Sequence, residues 1–544
     1  MGDVHDCDED LQLSDGLGSE QGTPDDESMG DAGEEQDEQQ HVGEDEDKQQ
    51  PEQQPEPQHE GCRQCHHECR AGERIPLSAL DQIAPRSYIS IILCFPIPDE
   101  TVCFAAEKFK EALDQTMGQI PILAADVVET GEGKRVELRM RHPIVTDIFR
   151  TCWPMIRSGA RLESYHTLKH RHMPPAKLRR RDLLPLRWME RERPRVMAVQ
   201  CNIIHDGILL SVNMHHAAMD HVGLQTVLDA WARTCRVLVD GEVKPPSPSS
   251  ADYDPIGPLD TTGSFDRQAL MAPELPYPIT RHVGYDVMSP AEREACMRPP
   301  WGDALGEPEG PTDTWQAVFE LQPRPLVAFV CDEREGLMHG PISADQAIWA
   351  IIWHGITRAR ILGSWKGWYG SVTRLGVTVD GRKRAAPPLL PTYMGNAVVD
   401  MTVECDVAEL VSDSLARTHA TAALIAEADD AADNGFIRSL VYLTGNQADV
   451  STVTPAWWRR PVGKDVSIVS WLELGTYSLQ WGRGLAGGRV EFVRVPRESA
   501  DGRCILLPRR RDRTEEIVVG LKVQDMVELQ ESGDFLRFFK HVCA

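Results

Sequence analysis

Two apolar runs, M-A-V-Q-C-N-I-I (197–204) and I-L-L-S-V-N-M (208–214), flank the tripeptide His-Asp-Gly. Runs of that length joined through Asp-Gly predict a hairpin of two buried strands over 196–214. Directly after them the period changes. Leu224, Val227, Leu228, Trp231 and Cys235 recur at spacings of three and four, which predicts a helix with one apolar face. Upstream, order is expected to begin near Ile75. The run Y-I-S-I-I-L-C-F-P-I (88–97) has the length of a buried strand, and Phe104, Phe109, Leu113 and Met117 predict a stripe on a helix over 103–118. In the second half, I-S-A-D-Q-A-I-W-A-I-I-W-H-G-I-T-R-A-R (342–360) predicts a long helix. Ser343 is its N-cap, and arginines fall in its last turn, where the helix dipole favours them. Further strands are expected around 371–379, 396–403, 476–481, 489–495 and within E-E-I-V-V-G-L-K-V (515–523). Residues 243–275, rich in Pro, Ser, Gly and Asp, read as a linker between the halves.

Charge sets the amino-terminal end apart. Residues 1–60 hold 22 Asp and Glu against one Lys, −21 of the formal total of −27, so the other 484 residues carry about −6. The end is poor in aromatic and β-branched residues, which predicts a disordered acidic tail over 1–70. It has neither the basic start and apolar stretch of a signal peptide nor the arginine-rich make-up of a transit peptide. No apolar run approaches the roughly 18 residues of a membrane span. The remainder is a mildly acidic globule, which argues against nucleic acid as a partner, and with no secretory signal the expected compartment is the cytoplasm. The 14 cysteines are mostly scattered and read as reduced. The cluster Cys62, Cys65, His66, His67 and Cys69 could hold zinc or haem, but no second ligand pair follows at finger spacing, so it reads as tail. A basic segment, 163–195, is either a dock for phosphates or a solvated loop.

The chemistry concentrates in N-M-H-H-A-A-M-D-H-V-G-L (213–224), where the second strand turns into the helix. As a metal site it would need His216 and Asp220 on one helix face, but the helix is only beginning there, and alternation leaves no obvious third ligand other than His221. As core it carries an unusual load of three histidines and an aspartate. As a general base, a neutral imidazole can take a proton from a hydroxyl or amine attacking a carbonyl, with the aspartate fixing local backbone or pairing with a distant arginine. The chain has no G-x-S-x-G elbow and no phosphate-binding loop. Gly482, Gly484 and Gly487 match G-x-G-x-x-G, but the alternating G-R-V-E-F-V-R-V that follows predicts a strand, and the glycines read as a hairpin turn.

His216-Ala-Ala-Met-Asp220 is the H-x-x-x-D signature, and the chain around it resembles the BAHD-type acyl-CoA-dependent acyltransferases, in particular their fungal branch with the trichothecene O-acetyltransferases. P-L-S-A-L-D-Q-I-A-P-R-S-Y (76–88) looks like the family's opening segment, and Q-I-P-I-L-A-A-D (119–126) like its early Leu/Pro element. The helix at 342–360 is similar to its long second-half helix. V-D-G-R-K-R with L-P-T-Y-M-G-N-A is similar to D-x-R…Y-x-G-N, and S-W-L-E-L-G-T-Y-S-L-Q-W-G-R-G to S-W…Y…D-F-G-W-G.

The resemblance implies an α/β fold of two chloramphenicol-acetyltransferase-like domains with mixed sheets and a channel between them. The domains would span 71–242 and 313–544, with a crossover at 243–312. It implies acyl-CoA, first of all acetyl-CoA, as co-substrate, a small alcohol or amine as acceptor, no resident cofactor or metal, and a monomer. His216 would be the general base. Asp220 would support the site by pairing with Arg382, and Trp471 or Asn396 would donate to the oxyanion. Two departures stand out. Gln480 replaces the aspartate of D-F-G-W-G, which touches stability or CoA binding more than chemistry. Val469 stands where plant members often carry a polar residue. His215 reads as scaffold, and His221 has no assignment. The alternatives are a carrier-protein acyl donor and an inactive scaffold of the same fold.

Overall fold

The computed structural model describes residues 71–154, 162–189, 193–241, 267–271, 281–289, 291–292, 313–332, 338, 340–364, 371–412, 415–458, 464–485, 487–498 and 500–544. The predicted tail, the cysteine cluster at 62–69 and most of the expected crossover lie outside them.

The expected hairpin forms from Met197–Ile204 and Gly207–His215, paired antiparallel. Its turn holds Asp206 at φ 59°. Gly207 is required for a different reason: a Cβ there would lie 2.3 Å from the Tyr165 ring. Tyr88–Phe95 pairs with Gly207–His215, Phe149–Cys152 runs parallel to Met197–Ile204, and Phe492–Arg494 closes the other edge against Tyr88–Phe95. A strand from the carboxy-terminal half thus completes the amino-terminal, five-stranded sheet.

The second sheet has seven strands. Its order is Val398–Asp406, Val372–Asp380, Val466–Ser470, Arg503–Leu506, Glu516–Lys522, Thr314–Leu321 and Phe539–Cys543. Val466–Ser470 is parallel to both neighbours and the other pairings are antiparallel, so this sheet is mixed. The helix Ala344–Leu362 packs against it. Its cap is a full capping box between Ser343 and Gln346, as the sequence predicts for Ser343. Two large apolar clusters form the core, and the one on the five-stranded sheet also takes in Val318, Ile505 and Val518 from the seven-stranded sheet.

Three expectations change, and one that was open is narrowed. In the helix Asp99–Gln119 the buried stripe runs through Val102, Ala105, Phe109, Leu113 and Met117, and Phe104 is exposed. Phe104 is five residues from Phe109, about 140° around a helix of 3.6 residues per turn, so the two cannot share a face. Residues 476–481 contain a short 3-10 turn, Thr476–Ser478, rather than a strand. The expected crossover at 243–312 contributes structure: Tyr285–Val287 pairs with Val453–Pro455, and Arg267 is buried. The basic segment is largely neutralised. Arg180 pairs with Glu498, Lys169 with Glu491, and Arg171 and Lys177 with Glu163, which favours the solvated-loop reading.

The departure at Gln480 has a structural setting. Its neighbour Trp481 is fully buried among Phe95, Phe109 and Trp231, with ring centroids 5.3–5.7 Å away, all edge-to-face. Gln480 Oε1 accepts from Arg489 Nε at 3.2 Å, and the glycine turn is closed by Trp481 N donating to Gly488 O. The segment therefore anchors the carboxy-terminal half in the amino-terminal core, on the helix that follows Asp220.

Candidate active site

The strand Gly207–His215 ends where its pairing with Tyr88 ends, and the chain turns tightly through 216–218. His216 N donates to Ser87 O and Ala218 N to His215 O. His215 is buried, its ring edge-on to Tyr88, and its Nδ1 accepts from Ala217 N. These contacts are those of a ring packed into the fold. His216 is half-buried, whereas every other residue from Gly207 to His221 is buried, so the turn presents this one imidazole.

The helix His221–Asp240 starts at Asp220. Asp220 Oδ1 accepts from Val222 N and Gly223 N at 3.0 Å, an N-cap. The same oxygen accepts from Arg382 Nη2 at 2.8 Å, and Oδ2 accepts from Ala397 N at 2.9 Å. Arg382 also donates to Tyr393 O, Gly395 O and Asp380 Oδ1. The aspartate therefore does both things considered for it, fixing local backbone and pairing with a distant arginine. Both of its oxygens are engaged, which leaves it unsuited to share a metal with His216. The two segments pack closely: a Cβ on Gly223 would lie 2.7 Å from Met394 O.

Asn396 sits against the imidazole. Its Nδ2 donates to His216 O at 2.7 Å and to Asp81 Oδ1 at 2.9 Å, and its Oδ1 lies 3.1 Å from His216 Nδ1. Carbonyl and carboxylate oxygens only accept, so the two bonds of Nδ2 fix which end of the amide is oxygen. His216 Nδ1 must then carry the hydrogen and donate it. In the neutral ring Nε2 is left with its lone pair. Both amide hydrogens of Asn396 are engaged, so it has none for an oxyanion, and it stands as an orienting partner of His216. The indole N–H of Trp471, by contrast, is buried with no hydrogen-bond partner among the described residues.

Electrostatics keep the imidazoles neutral. Burial lowers His216 below its ordinary value, against the opposing pull of its backbone bond, the Asp220 carboxylate and the Asn396 contact. Burial lowers His215 to about 3 and His221 to about 4. Burial would raise Asp220, but the Arg382 guanidinium, His221 and the hydrogen bonds hold it below the usual carboxylate value.

Two participants escaped the sequence reading. Asp81 is fully buried and binds Asn396, and Arg267 binds Asp81. The first had a signal, since S-A-L-D is a capping-box spacing and Ser78 with Asp81 forms that box. Arg267 stands at the end of a stretch of loop composition and had none.

Two family models match the chain. The Trichothecene 3-O-acetyltransferase-like N-terminal domain matches residues 87–235, and the Transferase family matches 332–536. The chain is 25% identical over 481 residues to eremophilane O-acetyltransferase prx11 of Penicillium rubens, covering 85% of this chain and 98% of that protein. It superposes on TRI101 of F. graminearum complexed with coenzyme A and deoxynivalenol with a TM-score of 0.68, at 20% identity over 86% of this chain and 100% of that one. Vinorine synthase shares the fold with a TM-score of 0.53, at 16% identity over 90% and 96% of the two chains. The α/β class with mixed sheets expected from the resemblance is the one found. With both halves matched in order around the His216–Asp220 turn, the chain is similar in sequence and in fold to the fungal O-acetyltransferases of the BAHD type.

Proposed function

We propose that the protein transfers an acyl group, acetyl in the first instance, from acyl-CoA to a hydroxyl of a small fungal secondary metabolite, with His216 as general base. The observation that carries this reading is the Asn396–His216 contact, which leaves Nε2 as the free lone pair on the one accessible imidazole of the turn. Nε2 takes the hydroxyl proton as the oxygen attacks the thioester carbonyl. The tetrahedral oxyanion needs a donor, and the unpartnered indole N–H of Trp471 is the candidate. Collapse breaks the carbon–sulfur bond, and the proton on His216 passes to the departing CoA thiolate. No acyl-enzyme is required. Asp220 and Arg382 touch no reacting atom in this scheme. They hold the turn to the Tyr393–Asn396 segment.

In this reading donor and acceptor meet at His216 through a channel between the halves, and the enzyme acts as a cytoplasmic monomer. No described helix is long and apolar enough to cross a membrane. The acceptor class is suggested by the relative named for eremophilanes: a hydroxyl on a compact, largely apolar polycycle. The test is release of CoA thiol from acetyl-CoA, followed with a thiol-reactive dye, across a panel of hydroxylated terpenoids and polyketides with mass detection of the ester. Acceptor-dependent release with a product heavier by one acetyl group is the expected outcome. Absence of release with acetyl-, malonyl- and longer acyl-CoA would contradict the CoA-donor reading.

A further inference from the structure

The polar network behind His216 continues past Asn396. The backbone N and Nδ2 of Asn396 both donate to Asp81 Oδ1, at 2.7 and 2.9 Å. Asp81 Oδ2 accepts from Ser78 N at 2.9 Å, Ser78 Oγ at 2.8 Å and Arg267 Nε at 2.8 Å. Arg267 Nη2 in turn donates to Ala218 O at 2.7 Å, two residues beyond His216. A closed ring results, running His216, Asn396, Asp81, Arg267 and back to the turn that carries His216. Four separate stretches of chain supply it. The side chains of Asp81 and Arg267 are 0% and 4% exposed.

Helix capping alone does not explain this arrangement. A capping box satisfies its backbone donors with Ser78 and one carboxylate oxygen, and capping boxes need no burial and no arginine. Here the second oxygen is aimed at Asn396, and burying the ion pair carries a desolvation penalty that its mutual attraction does not always repay. Hydrogen bonds in a buried chain polarise one another. A carboxylate on the Nδ2 side of an amide makes its Oδ1 a stronger acceptor for His216 Nδ1–H, most of all once the ring has become imidazolium.

We propose that Asp81 and Arg267 are positioning residues for acyl transfer, acting through Asn396 to set the orientation and basicity of His216. The inference rests on His216 being the base. Asp81 takes no proton in the scheme. It stands behind the amide while Nε2 gains and loses the acceptor's proton. Arg267 holds the carboxylate in place and pins Ala218 O, so the turn and the amide move together.

The test compares the full-length wild type with Asp81→Asn, Asp81→Asn/Arg267→Gln and His216→Ala. Readouts are kcat, KM for acetyl-CoA and acceptor, the pH profile of kcat/KM, and the thermal midpoint. Asp81→Asn is expected to lower kcat about 10- to 100-fold, by analogy with the loss of a hydrogen-bond partner that orients a metal-bound histidine, with KM for acetyl-CoA little changed. The acidic limb of the profile should move to lower pH. The other charged or titratable neighbours of His216, namely Asp220, Arg382, Arg503, His215 and His221, are untouched, so the moved limb reports Asp81. Asp81→Asn also strands a buried guanidinium and should lower the thermal midpoint. The double variant removes both charges and should recover the midpoint without recovering kcat.

Recovery of kcat together with the midpoint, or an acidic limb that stays in place, would reduce the pair to a structural staple and overturn the proposal. If Asp81→Asn alone does not fold, the double variant decides. Wild-type turnover in His216→Ala would instead remove the base assignment. An inactive His216→Ala beside a double variant of wild-type kcat would remove only the Asp81 and Arg267 roles.

Discussion

At the scale of residues, the site is a set of buried imidazoles held neutral around one that reaches solvent. His215 and His221 titrate near 6.5 in an unfolded chain but at about 3 and about 4 when folded. Between those values the unfolded state binds more protons, so their stability contribution is complete above pH 6.5 and is lost as the pH falls toward 4 and below. Each contributes a slope of at most about 1.4 kcal/mol per pH unit in that window. Denaturant midpoints at constant ionic strength should therefore drop from pH 7 to pH 5 against the opposing gain from the raised Asp465 carboxyl, and a drop that is no smaller in a His215→Asn/His221→Asn variant would contradict the burial of these rings. Part of the site was legible residue by residue. The load of histidine and aspartate in 213–224 marks His216 and Asp220 by their chemistry, whereas Arg382 in D-G-R was indicated only through the family resemblance. The part played by Asn396 was not legible, since an amide reads as donor or acceptor only once its neighbours are known. Asp81 is hidden by its cap spacing, which has an ordinary local use.

At the scale of elements, the helix His221–Asp240 is what turns the sequence signature into geometry. Asp220 caps it, Trp231 Nε1 ties it to Phe109 O at 2.8 Å, and Trp481 fills the space between it, Asp99–Gln119 and Tyr88–Phe95. Trp481→Ala is expected to cost about 3–5 kcal/mol of stability, as large aromatic truncations in closed cores do. Urea unfolding measures this directly, and a loss under about 1 kcal/mol would mean the segment is not an anchor. Elements with a strong period were readable: the hairpin, this helix, and Ala344–Leu362 with its Ser343 cap. The failures had physical causes. Phe104 is apolar but lies off the stripe, and apolarity alone does not assign a face. Residues 476–481 have strand-like composition, yet the bond from Leu479 N to Thr476 O closes a turn there.

At the scale of the molecule, the two halves meet at the site itself. Asp220 with Arg382 and His216 with Asn396 both join the amino-terminal turn to the carboxy-terminal sheet's edge. Elsewhere Arg494 pairs with Glu516 across the two sheets, and Arg135 Nη2 donates to Gly445 O and Gln447 O. Arg382→Ala leaves Asp220 as an unpaired buried carboxylate and should cost about 3–5 kcal/mol, read as a shift in denaturant midpoint. No measurable shift would mean that the pair does not hold the halves together. That a strand at Phe492–Arg494 crosses to the amino-terminal sheet was not foreseeable from its period. Pairing partners far apart in sequence leave no local pattern, and here the crossing follows from the anchoring of Trp481.

The most direct test of the account is the pH dependence of kcat/KM for acetyl-CoA-dependent esterification, measured for the wild type and His216→Ala. Burial lowers His216, so the wild type should hold a plateau above pH 6.5 and fall off only below it, with the slope of one proton. His216→Ala should lie at least about 100-fold below the wild-type plateau and show no such limb. An alanine variant that retains wild-type turnover, or a limb that persists in it unchanged, would contradict His216 as the base.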